Sequence, residues 1–282
     1  MIVGLPSGIG DQSWAISKLV NAPEWNEIEI EVADGWPFRS DDYLAMLGKK
    51  CVYGQFRYED IVVFEQLHPY KTWQDISNKG FGKFLMQPNH HLERGLPLKD
   101  YLPDLKTDYH YNLNIPSIEN KSYYPLLKTG NWVGISAASY RGHKAWKTWD
   151  LENWTELCKM LIASEYNICL LGGSWDDLTR SLEYDLPSNV CLNLVGQTKF
   201  DEACAVHKLL KFYVGFSSGL GIIRTVMSLP TIMLWPEHQT ALSESWADPE
   251  DLESRRYIAS SYMTPRGVYN LFKLQKSLFG GN

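Results

Sequence analysis

The chain has 282 residues, of which 44% are apolar, and a formal net charge of -6. This length and apolar content allow two ordinary domains without disulfides or metals, and the acidic balance disfavours nonspecific nucleic-acid binding through a global positive field. Five cysteines, an odd number without a C-x-x-C pair, predict reduced core thiols, in place of a disulfide framework or a zinc site.

The longest apolar runs, such as residues 167–171 and 231–235, have the length of strands. They are far shorter than the roughly 18 to 20 residues that cross a bilayer. The N-terminus lacks a charged region followed by an apolar stretch, so we predict no signal peptide. The sequence therefore predicts a cytoplasmic protein without a membrane span.

The first half alternates irregularly between short strands and helices. The predicted segments are a strand at 2–5, a helix at 11–20, a strand at 28–32, a Ser40-capped helix through 47, and strands near 51 and at 61–64. Residues 121–130, with Pro125 and Gly130, are typical of an interdomain linker. We therefore predict an N-terminal domain over 1–124 and a C-terminal domain over 131–260, followed by an amphipathic helix within 266–282.

The first strand of this half runs into a glycine turn that carries Asp11. Gly8 and Gly10 allow the backbone to turn tightly and to approach a ligand closely. A dinucleotide-binding fingerprint would need a third glycine where Ser13 stands. Asp11 is either a catalytic carboxylate or a first-turn acid that complements the helix dipole.

The second half shows a regular alternation of strand-like and helix-like segments. These are 132–136, 151–163, 167–171, 175–184, 190–194, 200–210, 212–216, 219–228 and 231–235. The strands are continuous apolar runs, as expected where helices cover both faces of a parallel sheet. The sequence predicts a doubly wound α/β sheet with ligands beyond the carboxyl ends of its strands.

Two loops of this half carry residues suited to an anion. Ser217, Ser218 and Gly219 begin a predicted helix, where free N–H groups and the dipole favour a diphosphate, although the alternative is a close-packed turn. The loop after the strand ending at Ser136 has three cations within seven residues. These cations either bind an anion or belong to an ordinary solvated loop. The candidate donor-binding residues of that segment are Ser136, Ser139, Arg141, Lys144 and Lys147.

Two further loops follow strands of the same sheet. Gly172, Gly173 and Ser174 are predicted to border a nucleotide, with a capped helix start as the alternative. Glu237 and His238 follow the last strand and are predicted either to reach a diphosphate or acceptor, or to form an ordinary loop.

The two glycine turns and the basic loop between them resemble the heptosyltransferase-like glycosyltransferases of family 9, in which a phage-type member is one option. The matching patterns are small-x-Gly-Asp at Asp11, Lys-x-Trp at Lys147, and Asp-Thr-Gly-Leu at Ser217 to Leu220. The resemblance implies a GT-B fold, with two Rossmann-like domains facing each other across a cleft and the last helix packing back on the N-terminal domain. It also implies metal-independent, inverting transfer from a nucleotide-diphosphate sugar, without a cofactor.

The resemblance gives roles to individual residues. Asp11 would be the general base, and Lys147 would meet the donor phosphates because it keeps the spacing from Trp149 to the helix; Lys144 is the next choice. Ser217 replaces the family's aspartate and Ile222 its histidine, so an ADP-heptose donor is not implied.

The acceptor side holds a basic and aromatic segment within residues 66–94. Its cationic residues are His68, Lys71, Lys79, Lys83, His90, His91 and Arg94. This segment fits an anionic glycan of the lipopolysaccharide type, the phosphates of DNA with a hydroxymethylated base, or an ordinary solvated surface. The rival functions are a non-catalytic nucleotide-sugar-binding protein and an NAD-dependent oxidoreductase.

Overall fold

The computed structural model describes residues 1–33, 39–54, 62–63, 72–78, 83–137, 149–235, 244–251, 255–259 and 263–279. The chain divides into two compact units. Unit 1 contains Met1–Asn114 and Ser245–Asp248, and unit 2 contains Ile115–Glu244 and Pro249–Asn282. The division falls before the linker predicted at 121–130, part of which forms a helix.

Unit 1 is built on a parallel sheet. Its strands are β1 (Ile2–Leu5), β2 (Glu29–Ala33), β3 (Val52–Gly54), β4 (Val62–Val63) and β5 (Lys83–Leu85). They are arranged in the order β3-β2-β1-β5-β4. The α-helices described in this unit are α1 (Ile9–Leu19), α2 (Ser40–Met46), α3 (Trp73–Asn78) and α4 (Pro88–Glu93).

The core of unit 1 forms where α1 covers the central strand. Val3 and Leu5 of β1 are fully buried, as are Ile16 and Leu19 on the inner face of α1. The predicted Ser40 cap is wrong in detail, because Ser40 is the first helical residue of α2 and the preceding residue occupies the cap position. The Ser40 hydroxyl instead accepts a hydrogen bond from α1, which ties the two helix starts together.

A short segment from late in the chain completes unit 1. Trp246 is buried, and its Nε1 donates a hydrogen bond of 3.0 Å to the Leu96 carbonyl. Its ring packs edge-on against Trp14, with ring centroids 4.8 Å apart. His110 contacts Asp248 of the same segment at 2.8 Å. These contacts explain why residues 245–248 belong to unit 1.

Unit 2 contains a six-stranded parallel sheet. Its strands are β6 (Trp132–Ser136), β7 (Asn167–Leu170), β8 (Cys191–Asn193), β9 (Phe212–Phe216), β10 (Thr231–Trp235) and β11 (Arg255–Ala259). The α-helices described here are α5 (Tyr124–Thr129), α6 (Leu151–Ile162), α7 (Asp177–Ser181), α8 (Phe200–Leu209), α9 (Gly219–Val226) and α10 (Pro265–Phe279). The strand order β11-β10-β9-β6-β7-β8 confirms the predicted doubly wound sheet.

The topology of unit 2 determines where a ligand would bind. The chain builds β6, β7 and β8 toward one edge of the sheet and then returns to β9, which pairs with β6. Ser136 at the end of β6 is therefore opposite Gly215 of β9. Open sheets of this kind bind ligands at such a switch point, beyond the carboxyl ends of the two strands.

The C-terminal helix differs from its predicted location. Val268 and Phe272 of α10 are buried in the core of unit 2, and the Phe272 ring contacts Phe212 and Tyr166 with centroids 5.0 Å apart. The helix packs along α6. Its apolar stripe is thus used inside unit 2, whereas the family resemblance implied packing on the N-terminal domain.

The cysteines are free thiols, as predicted. Burial raises the pKa of Cys191 to about 11 and raises the pKa of Cys158 and Cys169 as well. Thiols of this kind are unreactive near neutral pH. Within the described ranges, none of the helices has the length and hydropathy that a membrane crossing requires.

Candidate functional site

The β1–α1 junction places Asp11 in the first turn of α1. Gly8 is the N-cap with extended backbone angles (φ -76°, ψ 120°), and Gly10, predicted to belong to the turn, is already helical. A Cβ at position 8 would lie 2.9 Å from Oδ2 of Asp11. The carboxylate therefore lies back over the Gly8 backbone, and a Cβ at position 8 would displace it.

Buried hydrogen bonds hold this helix start in place. The Gln12 amide donates to the Pro6 carbonyl at 2.8 Å and to the Ser40 hydroxyl at 2.7 Å. One residue on, the hydroxyls of Ser13 and Tyr111 are 2.7 Å apart. These bonds fix the residues on either side of the turn, so the Asp11 side chain is presented from a rigid element.

The β9–α9 junction is a helix N-terminus without an acidic residue. The Ser217 N–H donates to the Leu234 carbonyl at 3.0 Å and so continues the sheet. Ser218 is the N-cap, and its hydroxyl accepts from the Gly221 N–H at 3.4 Å. In the part of the chain that is described, the N–H groups of Gly219 and Leu220 have no acceptor. Such N–H groups, at the positive end of a helix dipole, are suited to a phosphate.

The neighbouring end of β6 is closed by internal hydrogen bonds. Ser136 is buried, and its hydroxyl donates to the Leu171 carbonyl at 2.5 Å. The Ala137 N–H donates to the Thr179 hydroxyl at 2.8 Å, which itself donates to Asp176 at 2.7 Å. The Ser136 side chain therefore links two strand ends and is not directed at solvent.

Six of the predicted site residues lie outside the described residues. They are Ser139, Arg141, Lys144, Lys147, Glu237 and His238. Their roles stay predictions from the sequence.

The glycine loop after β7 is filled by its own side chains. A Cβ at Gly172 would lie 2.5 Å from the Asp176 carboxylate, and one at Gly173 would lie 2.2 Å from the Trp175 ring. Asp176 caps α7 by accepting from the Thr179 N–H at 3.1 Å, which confirms the capped helix start. Burial raises the pKa of Asp176 to about 6, although its hydrogen bonds from Thr179 oppose that rise. Ser174 is exposed next to this loop.

Sequence reasoning missed three polar residues beneath the β9–α9 junction. Tyr213, His207 and Arg224 are completely buried in unit 2. Each lies within a predicted apolar strand or helix, where a single polar residue gave no signal of its own. The signal that was present is the glycine at position 215, two residues after Tyr213, because it leaves space above the tyrosine hydroxyl.

The basic segment on the acceptor side is partly used for structure. Lys83 of β5 forms an ion pair with Glu31 of β2, across the intervening strand β1. His91 is buried, with Nε2 3.1 Å from the Pro97 carbonyl and its ring packed edge-on against Tyr101. These two residues are therefore not available as a free cationic surface.

A protein-family comparison identifies the family of the chain. Residues 89–253, more than half of the chain, match the model of glycosyltransferase family 9 (heptosyltransferase). The chain belongs to glycosyltransferase family 9. It is accordingly a glycosyltransferase of a family that acts on nucleotide sugars, as the sequence predicted. A comparison with curated proteins finds no match.

Solved structures show the same GT-B fold at low sequence identity. An ADP-heptose lipopolysaccharide heptosyltransferase II from E. coli is 17% identical, with a TM-score of 0.65 and 99% of both chains covered. A family 9 glycosyltransferase from Veillonella parvula is 11% identical, with a TM-score of 0.66 over 100% of this chain and 97% of that one. E. coli heptosyltransferase WaaC with ADP is 16% identical, with a TM-score of 0.57 and 98% of both chains covered.

Proposed function

We propose that this glycosyltransferase moves a sugar from a nucleotide-diphosphate sugar to an acceptor hydroxyl with inversion, and that Asp11 is its general base. The carrying observation is the Asp11 carboxylate in the first turn of α1, which lies over Gly8 where a Cβ would displace it. Asp11 would accept the hydroxyl proton while the acceptor oxygen bonds to the anomeric carbon. The bond from that carbon to the diphosphate breaks in the same step, and the diphosphate leaves with the electron pair.

The donor diphosphate is proposed to bind at the β9–α9 junction. Support comes from the Gly219 and Leu220 N–H groups, the Ser218 hydroxyl and the dipole of α9, all at the switch point of the unit 2 sheet. Lys147, with Lys144 and Arg141 as neighbours, is proposed to add the positive charge that the departing diphosphate needs. The proposal requires neither a metal nor a resident cofactor.

The acceptor is proposed to be a glycan of the lipopolysaccharide type. One solved relative is named as a lipopolysaccharide heptosyltransferase, and this chain shares its family and fold. A hydroxymethylated base in DNA is less well supported, because Lys83 and His91 are engaged within unit 1 and the proposed phosphate contacts lose two of their members. DNA therefore enters the experiment as a contrasting acceptor.

A donor screen tests the proposal directly. The wild type would be examined by thermal shift with UDP, ADP, GDP and CDP, and the matching donors would then be incubated with a core oligosaccharide or with hydroxymethylcytosine DNA. We expect stabilisation by one nucleoside diphosphate and a sugar mass added to the oligosaccharide. Addition to DNA alone would replace the glycan proposal, and no stabilisation by any nucleotide would contradict the donor site.

The rival function is a nucleotide-sugar-binding protein that has lost transfer. The replacement of the family's aspartate by Ser217 favours it, and the presence of Asp11 opposes it. The Asp11→Asn variant separates the two: an enzyme loses turnover and keeps its donor affinity, whereas a binding protein has no turnover to lose.

A further inference from the structure

Tyr213 lies directly beneath the proposed diphosphate site. It belongs to β9 and is fully buried. A Cβ at Gly215 would lie 2.5 Å from its hydroxyl, and a Cβ at Gly134 would lie 3.1 Å from its ring. A Cβ at Gly221, in the first turn of α9, would lie 3.5 Å from Cε1 of the ring, which is an ordinary van der Waals contact. Gly215 and Gly134 thus leave the space that the tyrosine occupies at the carboxyl end of the sheet.

The Tyr213 hydroxyl has no hydrogen-bond partner among the described residues, although it is enclosed. Burial raises the pKa of Tyr213, while the nearby hydroxyls of Ser136 and Ser218 act in the opposite direction. The Ser136 proton is already donated to the Leu171 carbonyl. An enclosed hydroxyl without a partner costs folding free energy, and such a group in a native protein calls for an explanation.

A buried positive charge, that of Arg224, lies near this tyrosine. Arg224 of α9 donates to the carbonyls of His207 at 2.5 Å, Pro230 at 3.0 Å and Leu210 at 3.2 Å. These acceptors are all neutral groups, and burial lowers the pKa of Arg224 only to about 9, so it remains charged at neutral pH. The His207 ring packs edge-on against Tyr213, with centroids 5.0 Å apart, and burial lowers the pKa of His207 and keeps it neutral.

We propose that Tyr213 is a positioning residue of the diphosphate site: when the diphosphate binds, the Tyr213 hydroxyl turns to donate to Ser218 Oγ and thereby directs the Ser218 proton to the diphosphate. The Ser218 oxygen has two acceptor positions and one proton. It accepts from the Gly221 N–H with one position, takes the Tyr213 proton with the other, and donates its own proton to the ligand. The positive charge of Arg224 favours the bound diphosphate, which is the last acceptor in this series of hydrogen bonds. The inference rests on the proposed donor site.

The Tyr213→Phe variant removes only the hydroxyl. Its affinity for the nucleoside diphosphate that stabilises the wild type would be measured by isothermal titration calorimetry, and its Tm by calorimetry. We expect the affinity to fall about tenfold, as for a lost hydrogen bond to a charged ligand, and the Tm to stay equal or rise. Unchanged affinity would overturn the inference, and so would a lower Tm, because that would show a structural partner for the hydroxyl.

Tyr123→Phe is the matched control. The Tyr123 hydroxyl is also enclosed in unit 2 without a hydrogen-bond partner among the described residues, but Tyr123 precedes α5 and its electrostatic neighbours are Lys121, Glu202 and Cys169. We expect its removal to leave nucleotide affinity unchanged. A tenfold loss in this variant as well would overturn a specific role for Tyr213.

A double variant tests the route through Ser218. If Tyr213 acts through that hydroxyl, Tyr213→Phe in the Ser218→Ala background should cause no further loss of affinity. Additive losses would overturn the relay. A wild type that binds no nucleoside diphosphate would instead contradict the proposed function, so the two failures are distinguishable.

Discussion

The β1–α1 junction of unit 1 and the β9–α9 junction of unit 2 share one backbone design. Each is a buried strand that passes through two or three small residues into a helix. The two junctions differ in charge: the first helix carries Asp11 in its first turn, whereas the second has no acidic residue there. The same dipole that stabilises a carboxylate in one unit is therefore available for a bound anion in the other.

The layers beneath the two junctions also differ in their polar groups. The first includes a chain of hydroxyls, those of Ser13, Tyr111 and Tyr43, at 2.7 and 2.6 Å from one another. The second has the Arg224 cation and the unpartnered Tyr213 hydroxyl below it. A backbone motif alone thus does not define a site; the residue in the first turn and the buried polar groups below it do.

Removal of the Asp11 charge should have the largest effect on this comparison. For Asp11→Asn we expect kcat to fall by about 10²- to 10⁴-fold, the usual contribution of a general base. Donor affinity should change less than twofold, since the diphosphate is proposed to bind in unit 2. Steady-state kinetics with calorimetric titration of the nucleotide would check both; a proportional loss of donor affinity would speak against the division of roles.

A methyl group at Gly8 should disturb the same carboxylate without removing it. The backbone angles at Gly8 suit alanine, so the effect of Gly8→Ala is steric: its Cβ would lie 2.9 Å from Oδ2 of Asp11. We expect kcat to fall about tenfold or more as the base is displaced. In the Asp11→Asn background the same methyl should cost little, and an undiminished loss there would place its effect elsewhere.

The Ser218 cap should have a smaller effect, on unit 2 alone. Ser218→Ala removes the N-cap oxygen, and we expect a loss of about 1 kcal/mol or less in the free energy of unfolding, because the 3.4 Å contact is long. Nucleotide affinity should fall about tenfold. Ser218→Gly, which caps a helix almost as well, separates the two effects: it should restore stability but not affinity.

The smallest expected effect concerns Asp176, which supports the neighbouring β6 end through Thr179. Its pKa is raised to about 6, so the unfolded chain holds fewer protons than the folded chain between about pH 4 and 6. Stability from this group should therefore fall as pH rises, by about 1 kcal/mol between pH 5 and 7.5. The free energy of unfolding of the wild type and of Asp176→Asn would be measured with urea at both pH values, and only the wild type should show this difference. An equal change of the free energy of unfolding with pH in both proteins would contradict a raised pKa.

The sheet of unit 2 was predictable because its strands are fully buried and therefore continuously apolar. The bounds of β6, β9 and β10 coincide with the sequence prediction. β11 was missed because it begins with Arg255 and Arg256, which break the apolar pattern. β5 was missed for a related reason, since Lys83 opens a strand of only three residues and is neutralised by an ion pair with Glu31.

The candidate site was predictable where a local pattern carries it. Asp11 and residues 217–219 lie at strand-to-helix turns, which the sequence predicts from small residues between an apolar strand and a helix. The sequence predicts that Ser136 contacts the nucleotide sugar. Its hydroxyl donates to the Leu171 carbonyl, which follows a strand that is distant in sequence. For Tyr213 the local signal is Gly215 alone, and the contact of its ring with Gly134 of β6 depends on strand pairing that the sequence does not show.

The central claim is that the second junction, and not the first, binds the donor's anion. The direct measurement is a titration of ¹⁵N-labelled protein with the stabilising nucleoside diphosphate, followed through backbone amide shifts. We predict the largest shifts at Gly219 and Leu220, with the Ile9 and Gly10 amides of α1 changing little. Large shifts at Ile9 and Gly10, with Gly219 and Leu220 unmoved, would contradict it.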